Sequence, residues 1–251
     1  MGSGWSIPAV VTLLAILFHF SFSRSSMNEP NTDAAVIWFH GLGDTYRGWS
    51  FLKRQFSQKM PWVRWVFPNA PTQPVTCNGG ARMTSWFDII DIPVGPEEPD
   101  SPDGLEESIA NVHAIIEKLE QEGVPPERIV VGGFSQGAVL SMAAGIRFPK
   151  KLAGIVGFSG WVTKKDELQG LLGDNSSAAN AKTPMLVCHG RADNVVLFSL
   201  GRQGVELMSS LGASVTFESY PGVGHSSCPQ ELAELQEFLL QNLPEQPRNK
   251  L

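Results

Sequence analysis

Short runs rich in apolar and β-branched residues recur along the chain, at Val36 to Phe39, Val63 to Phe67, Ile129 to Gly132, Gly154 to Ser159 and Met185 to Cys188, and Val215 to Tyr220 alternates between apolar and polar positions. Their length and their proline or glycine borders predict strands, the first beginning at Ala34. Between them lie segments with apolar residues at helical spacing. Leu105 to Gln121 reads as a helix, and Ala138 to Ile146 as a second one stopped by Pro149. Glu231 to Leu240 reads as a third, with Pro229 in its first turn and Ser226 or Ser227 as the cap. Strands alternating with helices predict an α/β fold, a mostly parallel central sheet flanked by helices. At 251 residues the chain can bury one large core, and no repeat or second domain is visible.

Charge and cysteine content narrow the function classes. Net charge is −6, with no basic run and no interleaving of aromatic and basic residues, which argues against a nucleic-acid partner. Acidic residues gather in Glu97-Glu98-Pro99-Asp100-Ser101-Pro102-Asp103, but without the ligand spacing of a calcium loop, so this reads as a solvated loop. The three cysteines, Cys77, Cys188 and Cys228, are too few for a disulfide framework. His40, His113 and His189 have no partners at metal-ligand spacing and read as structural; neither a metal nor an organic cofactor is expected.

The chemistry begins at Gly133-Phe134-Ser135-Gln136-Gly137, which places a serine between a predicted strand and a predicted helix. A serine on such a turn is exposed at the end of the sheet as a nucleophile, and needs a base and an acid following in chain order. Asp193 lies just past the strand Met185 to Cys188, and His225 lies in the glycine-rich loop after Val215 to Tyr220. All three then fall on one sheet edge, with Ser135 as nucleophile, His225 as base and Asp193 as its orienting acid. An oxyanion hole requires the amide after the nucleophile, that of Gln136, and one from a loop after an earlier strand. Leu42, between Gly41 and Gly43 after the first strand, is the candidate for the second.

His40-Gly41-Leu42-Gly43-Asp44, Phe67-Pro68-Asn69-Ala70-Pro71, Ser85-Trp86-Phe87-Asp88, Gly132 to Gly137, Leu152-Ala153-Gly154, Ser159-Gly160-Trp161, Cys188-His189-Gly190 and His225-Ser226-Ser227 resemble, in that order, the acyl-protein thioesterase and lysophospholipase-like carboxylesterases. The resemblance spans about residues 33 to 243. It implies a single α/β-hydrolase domain that cleaves acyl esters and thioesters, S-palmitoyl groups on proteins among them. It carries Ser135, Asp193 and His225 over as the triad, with Leu42 and Gln136 as oxyanion amides. The loop from Pro74 to Pro93 would be lid-like, and Met83, Trp86, Phe87, Ile89, Ile90 and Trp161 would bind the acyl group. Val75-Thr76-Cys77-Asn78 and Val112 to Ile116 look like the plant branch, which implies shorter acyl groups. S-acylated proteins and small acyl esters are thus the expected substrates. A lysophospholipase would use the same residues, and a ligand receptor on a hydrolase fold is the alternative from another class.

Residues 1–26 form a separate segment ahead of the domain expected over 27–251. Trp5 to Ser23 carries no charged side chain and suits a signal-peptide core, a membrane anchor through residues 5–23, or a dispensable extension. Met1-Gly2-Ser3-Gly4-Trp5-Ser6 fits the loose N-myristoylation pattern, and initiation at Met27 would give a soluble form. A cytoplasmic catalytic domain is the expectation, with membrane association or secretory targeting dependent on this segment.

Overall fold

The computed structural model describes residues 32–247. The expectations for residues 1–26 therefore lie outside the described residues. Strands β1 (Ala34–Phe39), β2 (Val63–Val66), β5 (Ile129–Phe134), β6 (Gly154–Phe158), β7 (Met185–Gly190) and β8 (Val215–Tyr220) form one sheet in the order β2-β1-β5-β6-β7-β8, every pair parallel. A small antiparallel hairpin, β3 (Thr72–Pro74) with β4 (Arg82–Thr84), stands apart from it.

Seven α-helices are assigned among the described residues, α1 (Tyr46–Trp49), α2 (Phe51–Phe56), α3 (Leu105–Gln121), α4 (Gln136–Arg147), α5 (Lys165–Leu172), α6 (Phe198–Ser210) and α7 (Pro229–Asn242). They cover both sheet faces, which is why the central strands read as unbroken apolar runs. Side chains alternate between two cores. Ala35, Ile37 and Phe39 of β1 face the layer of α3 and α4, whereas Ala34, Val36 and Trp38 face that of α2 and α7.

The cap of α7 differs from the expected Ser226 or Ser227. Cys228 is the N-cap, its Sγ accepting the Glu231 N–H at 3.5 Å. Pro229 occupies the first turn as expected. The three cysteines are free thiols. His113 meets the structural expectation, with Nε2 2.9 Å from the Ala144 carbonyl and its ring against Phe148. Among the described residues no helix is long and apolar enough to cross a membrane.

Topology positions the site. From β1 the chain moves outward to β2 and later returns to β5 on the other side of β1, so the connections leave in opposite directions. Open α/β sheets leave a crevice at such a reversal, outside the carboxyl ends of the strands. Here those ends are Phe39 and Phe134, followed by the loop of Leu42 and by Ser135.

Candidate active site

Ser135 is the hinge between β5 and α4, and its backbone lies at φ 56°, ψ −120°. A side chain in this left-handed region is strained by roughly 1–3 kcal/mol, so the surroundings must hold it there. One restraint is its N–H, which donates to the Phe158 carbonyl at 2.7 Å. Another is the close packing of the start of α4 on the end of β1. A Cβ on Gly137 would stand 2.2 Å from the Phe39 carbonyl oxygen, and one on Gly133 would stand 2.4 Å from the Gly137 oxygen. Both glycines are thus required by backbone approach.

The three expected side chains meet. His225 Nε2 lies 2.9 Å from Ser135 Oγ, and His225 Nδ1 lies 2.8 Å from Asp193 Oδ2. A carboxylate only accepts, so Nδ1 carries the proton and Nε2 is left bare to accept from the hydroxyl. The imidazole also rests on the Phe134 ring, centroids 4.7 Å apart. Asp193 is 6% exposed, and Ser135 7%.

Burial by itself would push the Asp193 carboxyl up. Hydrogen bonds from His189, His225 and the Val195 N–H outweigh it and hold the group well below the usual carboxylate range. Its second oxygen is occupied as well, Oδ1 accepting from the Val195 and Val196 amides at 2.9 and 3.0 Å. The acid is therefore charged and fixed in direction.

Leu42 and Gln136 stand on either side of the serine. A Cβ on Gly41 would be 3.4 Å from Ser135 Cβ, so the loop carrying Leu42 abuts Ser135. Gln136 is the first residue of α4, where backbone N–H groups have no partner inside the helix. Among the described residues neither amide is recorded donating to another protein group.

The residues expected to bind the acyl group differ in burial. Trp86, Phe87, Ile89 and Trp161 are 3%, 0%, 2% and 2% exposed and belong to the core. Trp86 is fixed by Phe39 and His40, while Trp161 faces a void between α4, α5 and α6 lined by Val139, Met142, Leu168 and Met208. These aromatics are held by packing, as bulky apolar groups are wherever they can escape water. Ile90 is 40% exposed on the loop beyond them, and Met83 is half-buried on β4 near Gly43. His189 and His40, expected to be structural only, border the site, one beside Asp193 and the other heading the Leu42 loop. Their adjacency to candidate residues in sequence was the available signal. Among the described residues no group of three or more His, Cys, Asp or Glu side chains is arranged to hold a metal ion.

Known proteins share this arrangement of chain. Residues 25–243 match the Phospholipase/Carboxylesterase family. A probable carboxylesterase of Oryza sativa subsp. japonica is 41% identical over 83% of this chain and 77% of its own length. An acyl-protein thioesterase 1 of Gibberella zeae is 38% identical over 86% and 92%. The crystal structure of Arabidopsis thaliana SOBER1 superposes with a TM-score of 0.77 at 36% identity, covering 84% of this chain and 99% of that one. With the parallel sheet, the strained serine turn and matches of this extent, the chain belongs to the Phospholipase/Carboxylesterase family of the α/β-hydrolase superfamily.

Proposed function

We propose that this protein is a serine hydrolase of carboxylic esters and acyl thioesters, with Ser135, His225 and Asp193 as its catalytic triad. The observation that carries the reading is the unbroken path from Ser135 Oγ through the His225 imidazole to Asp193 Oδ2, 2.9 and 2.8 Å long at its two contacts. Relatives named acyl-protein thioesterase and carboxylesterase support the same reaction class.

The geometry suits acyl transfer in two halves. Ser135 Oγ attacks the acyl carbon while His225 Nε2 takes its proton, and the buried Asp193 charge steadies the resulting imidazolium. The carbonyl oxygen becomes an oxyanion that the Leu42 and Gln136 amides would receive. Collapse expels the thiolate or alkoxide, which leaves with the proton from His225. Water then repeats the attack on the acyl-serine, losing its proton to His225, and releases the carboxylic acid with Ser135 restored.

S-acylated proteins or small acyl esters are the substrates this reading favours. Among acyl groups, short ones fit better, because Trp86, Phe87, Ile89 and Trp161 are packed into the core. The catalytic domain, over residues 27–251, is proposed to act in the cytoplasm, with residues 5–23 bringing it to membranes where acylated proteins reside. Fractionation of the full chain beside one starting at Met27 tests this; identical soluble behaviour would discard the anchor.

Turnover of an ester series from acetyl to palmitoyl, beside an acylated-cysteine peptide and a lysophospholipid, tests the function. Ser135→Ala should lower hydrolysis at least about a thousandfold. No turnover of any compound would favour the ligand receptor, and a peak at long chains would remove the short-acyl preference.

A further inference from the structure

Two loops from different strands must supply the amides of the proposed oxyanion hole. The ladder aligns β1 with β5 only as far as Phe39 opposite Gly133, one step before the loops begin. Their spacing beyond that point depends on other contacts. Trp86 makes them. Its backbone N–H donates to Gln136 Oε1 at 2.9 Å, and its indole N–H donates to the His40 carbonyl at 2.8 Å. Its ring lies against the His40 imidazole, centroids 5.1 Å apart, and edge-on to Phe39.

Both partners are themselves secured. The Gln136 carboxamide is fully buried, and its Nε2 donates to Ser85 Oγ at 2.9 Å and to the Phe87 carbonyl at 2.5 Å. His40 Nδ1 meets the Gly41 carbonyl at 2.7 Å, and its Nε2 accepts the Ala70 N–H at 3.1 Å. This pair of contacts selects the neutral Nδ1–H tautomer. Burial lowers the pKa of His40, in keeping with that neutral form.

The consequence for Leu42 is geometric. The Gly41 carbonyl and the Leu42 N–H belong to one planar trans peptide and point in opposite directions. Holding the carbonyl toward His40 therefore aims the amide. On the other side Gly43 N–H donates to the Thr84 carbonyl at 2.8 Å, and Thr84 Oγ1 donates to the Asp44 carbonyl at 2.7 Å. The segment Thr84 to Phe87 thus contacts both halves of the oxyanion hole.

We infer that Trp86 is a positioning residue, a brace between the Gln136 side chain and the His40 carbonyl that sets the spacing of the Gln136 and Leu42 amides. The inference rests on the proposed serine hydrolysis. It predicts that losing the brace weakens stabilisation of the oxyanion while substrate binding and proton transfer persist, since Trp86 makes no recorded hydrogen bond to Ser135, Asp193 or His225.

The test compares wild-type protein with Trp86→Phe, which keeps a ring but loses the indole N–H, and with Gln136→Met, which keeps the backbone amide but loses the carboxamide. A short alkyl boronic acid serves as the probe, because its adduct with Ser135 is tetrahedral and anionic. Misplacement of donors by a fraction of an ångström should lower kcat about tenfold in Trp86→Phe. Boronate affinity should fall by a similar factor, with KM within about twofold of wild type and the acid limb of the pH–rate profile in place. The double variant should lose less than the product of the single losses, since both act on one brace.

Unchanged kcat and boronate affinity in folded Trp86→Phe would overturn the inference, as would a loss residing in KM or a moved acid limb. Should Gln136→Met fail to fold, Trp86→Phe decides alone; should Trp86→Phe fail, Trp86→Tyr, which also lacks the indole N–H, takes its place under the same criteria. Wild-type protein that neither hydrolyses esters nor binds the boronate refutes the proposed function itself, an outcome distinct from an active enzyme indifferent to Trp86.

Discussion

His189 and Asp193 are packed together with the imidazole Nε2 3.4 Å from Oδ2, the same carboxylate oxygen that lies 2.8 Å from His225 Nδ1. The same Nε2 is 3.0 Å from the Val196 carbonyl, so its N–H is shared between two acceptors, and the Nε2–H tautomer is required. The ring is wholly buried, with Nδ1 unpartnered among the described residues.

Removing this donor should be visible in the pH dependence of hydrolysis. A carboxylate with one donor fewer concentrates more charge on the oxygen facing His225 and favours the imidazolium. His189→Leu should therefore shift the acid limb of the kcat/KM profile to higher pH, whereas His189→Gln, which retains an N–H donor, should leave it nearly in place. An unmoved limb in folded His189→Leu would show that the contact has no electrostatic role.

The serine turn predicts a glycine that tolerates no side chain. Gly137→Ala would drive its methyl to within 2.2 Å of the Phe39 oxygen and 2.7 Å of the His40 oxygen, and backbone cannot yield as a flexible side chain can. Destabilisation of about 3 kcal/mol or more is expected, read from the midpoint of urea unfolding. Wild-type stability in this variant would mean that the close contact of α4 with β1 is not maintained in solution.

Glu231 makes stability fall as pH rises. Burial, with a smaller contribution from Glu234, pushes its carboxyl from 4.5 up to about 8, against the opposing pull of the Cys228 N–H. A carboxyl whose pKa is raised on folding contributes stability fully present below the unfolded value and lost as pH rises through the folded one. Thermal midpoints should accordingly decline between about pH 5 and about pH 9, and Glu231→Gln should flatten that decline. Parallel curves for the two proteins would rule out Glu231 as its source.

Thiol labelling should discriminate among the cysteines. Cys188 is fully buried on β7, and burial raises its pKa well above the ordinary thiol value. Iodoacetamide on the native protein should modify the partly exposed Cys77 and Cys228 and spare Cys188, with all three labelled in urea. Native labelling of Cys188 at a comparable rate would require an opening of β7 that the packing does not provide.

Much of the candidate site is legible in the residues. Ser135 and Asp193 follow apolar strands and His225 an alternating one, and strands interspersed with helices form a parallel sheet, which presents their carboxyl ends on one edge. That sufficed to bring together side chains up to 90 residues apart. The loop from Pro74 to Pro93 was harder to read, because it has no periodicity that assigns its side chains to a face. Gln136, Ser108 and His40, all remote in sequence, bond Trp86 and Phe87 and turn the segment inward. The cap of α7 lies one or two residues beyond the serines, although serine is the commoner capping side chain. Cys228 takes the position because its Sγ is the group that reaches the Glu231 N–H.

Sequence alone determined the layer architecture, the strand order along the chain and the identity of the candidate reacting side chains, since these follow from local patterns of apolar residues, glycine and chain order. Tertiary structure decided which groups hold that apparatus in place. His189 behind Asp193, and Trp86 between Gln136 and His40, are contacts across elements distant in the chain. Their partners are chosen by packing of the whole fold, because a buried N–H or carbonyl must find whatever complementary group the neighbouring element brings within reach.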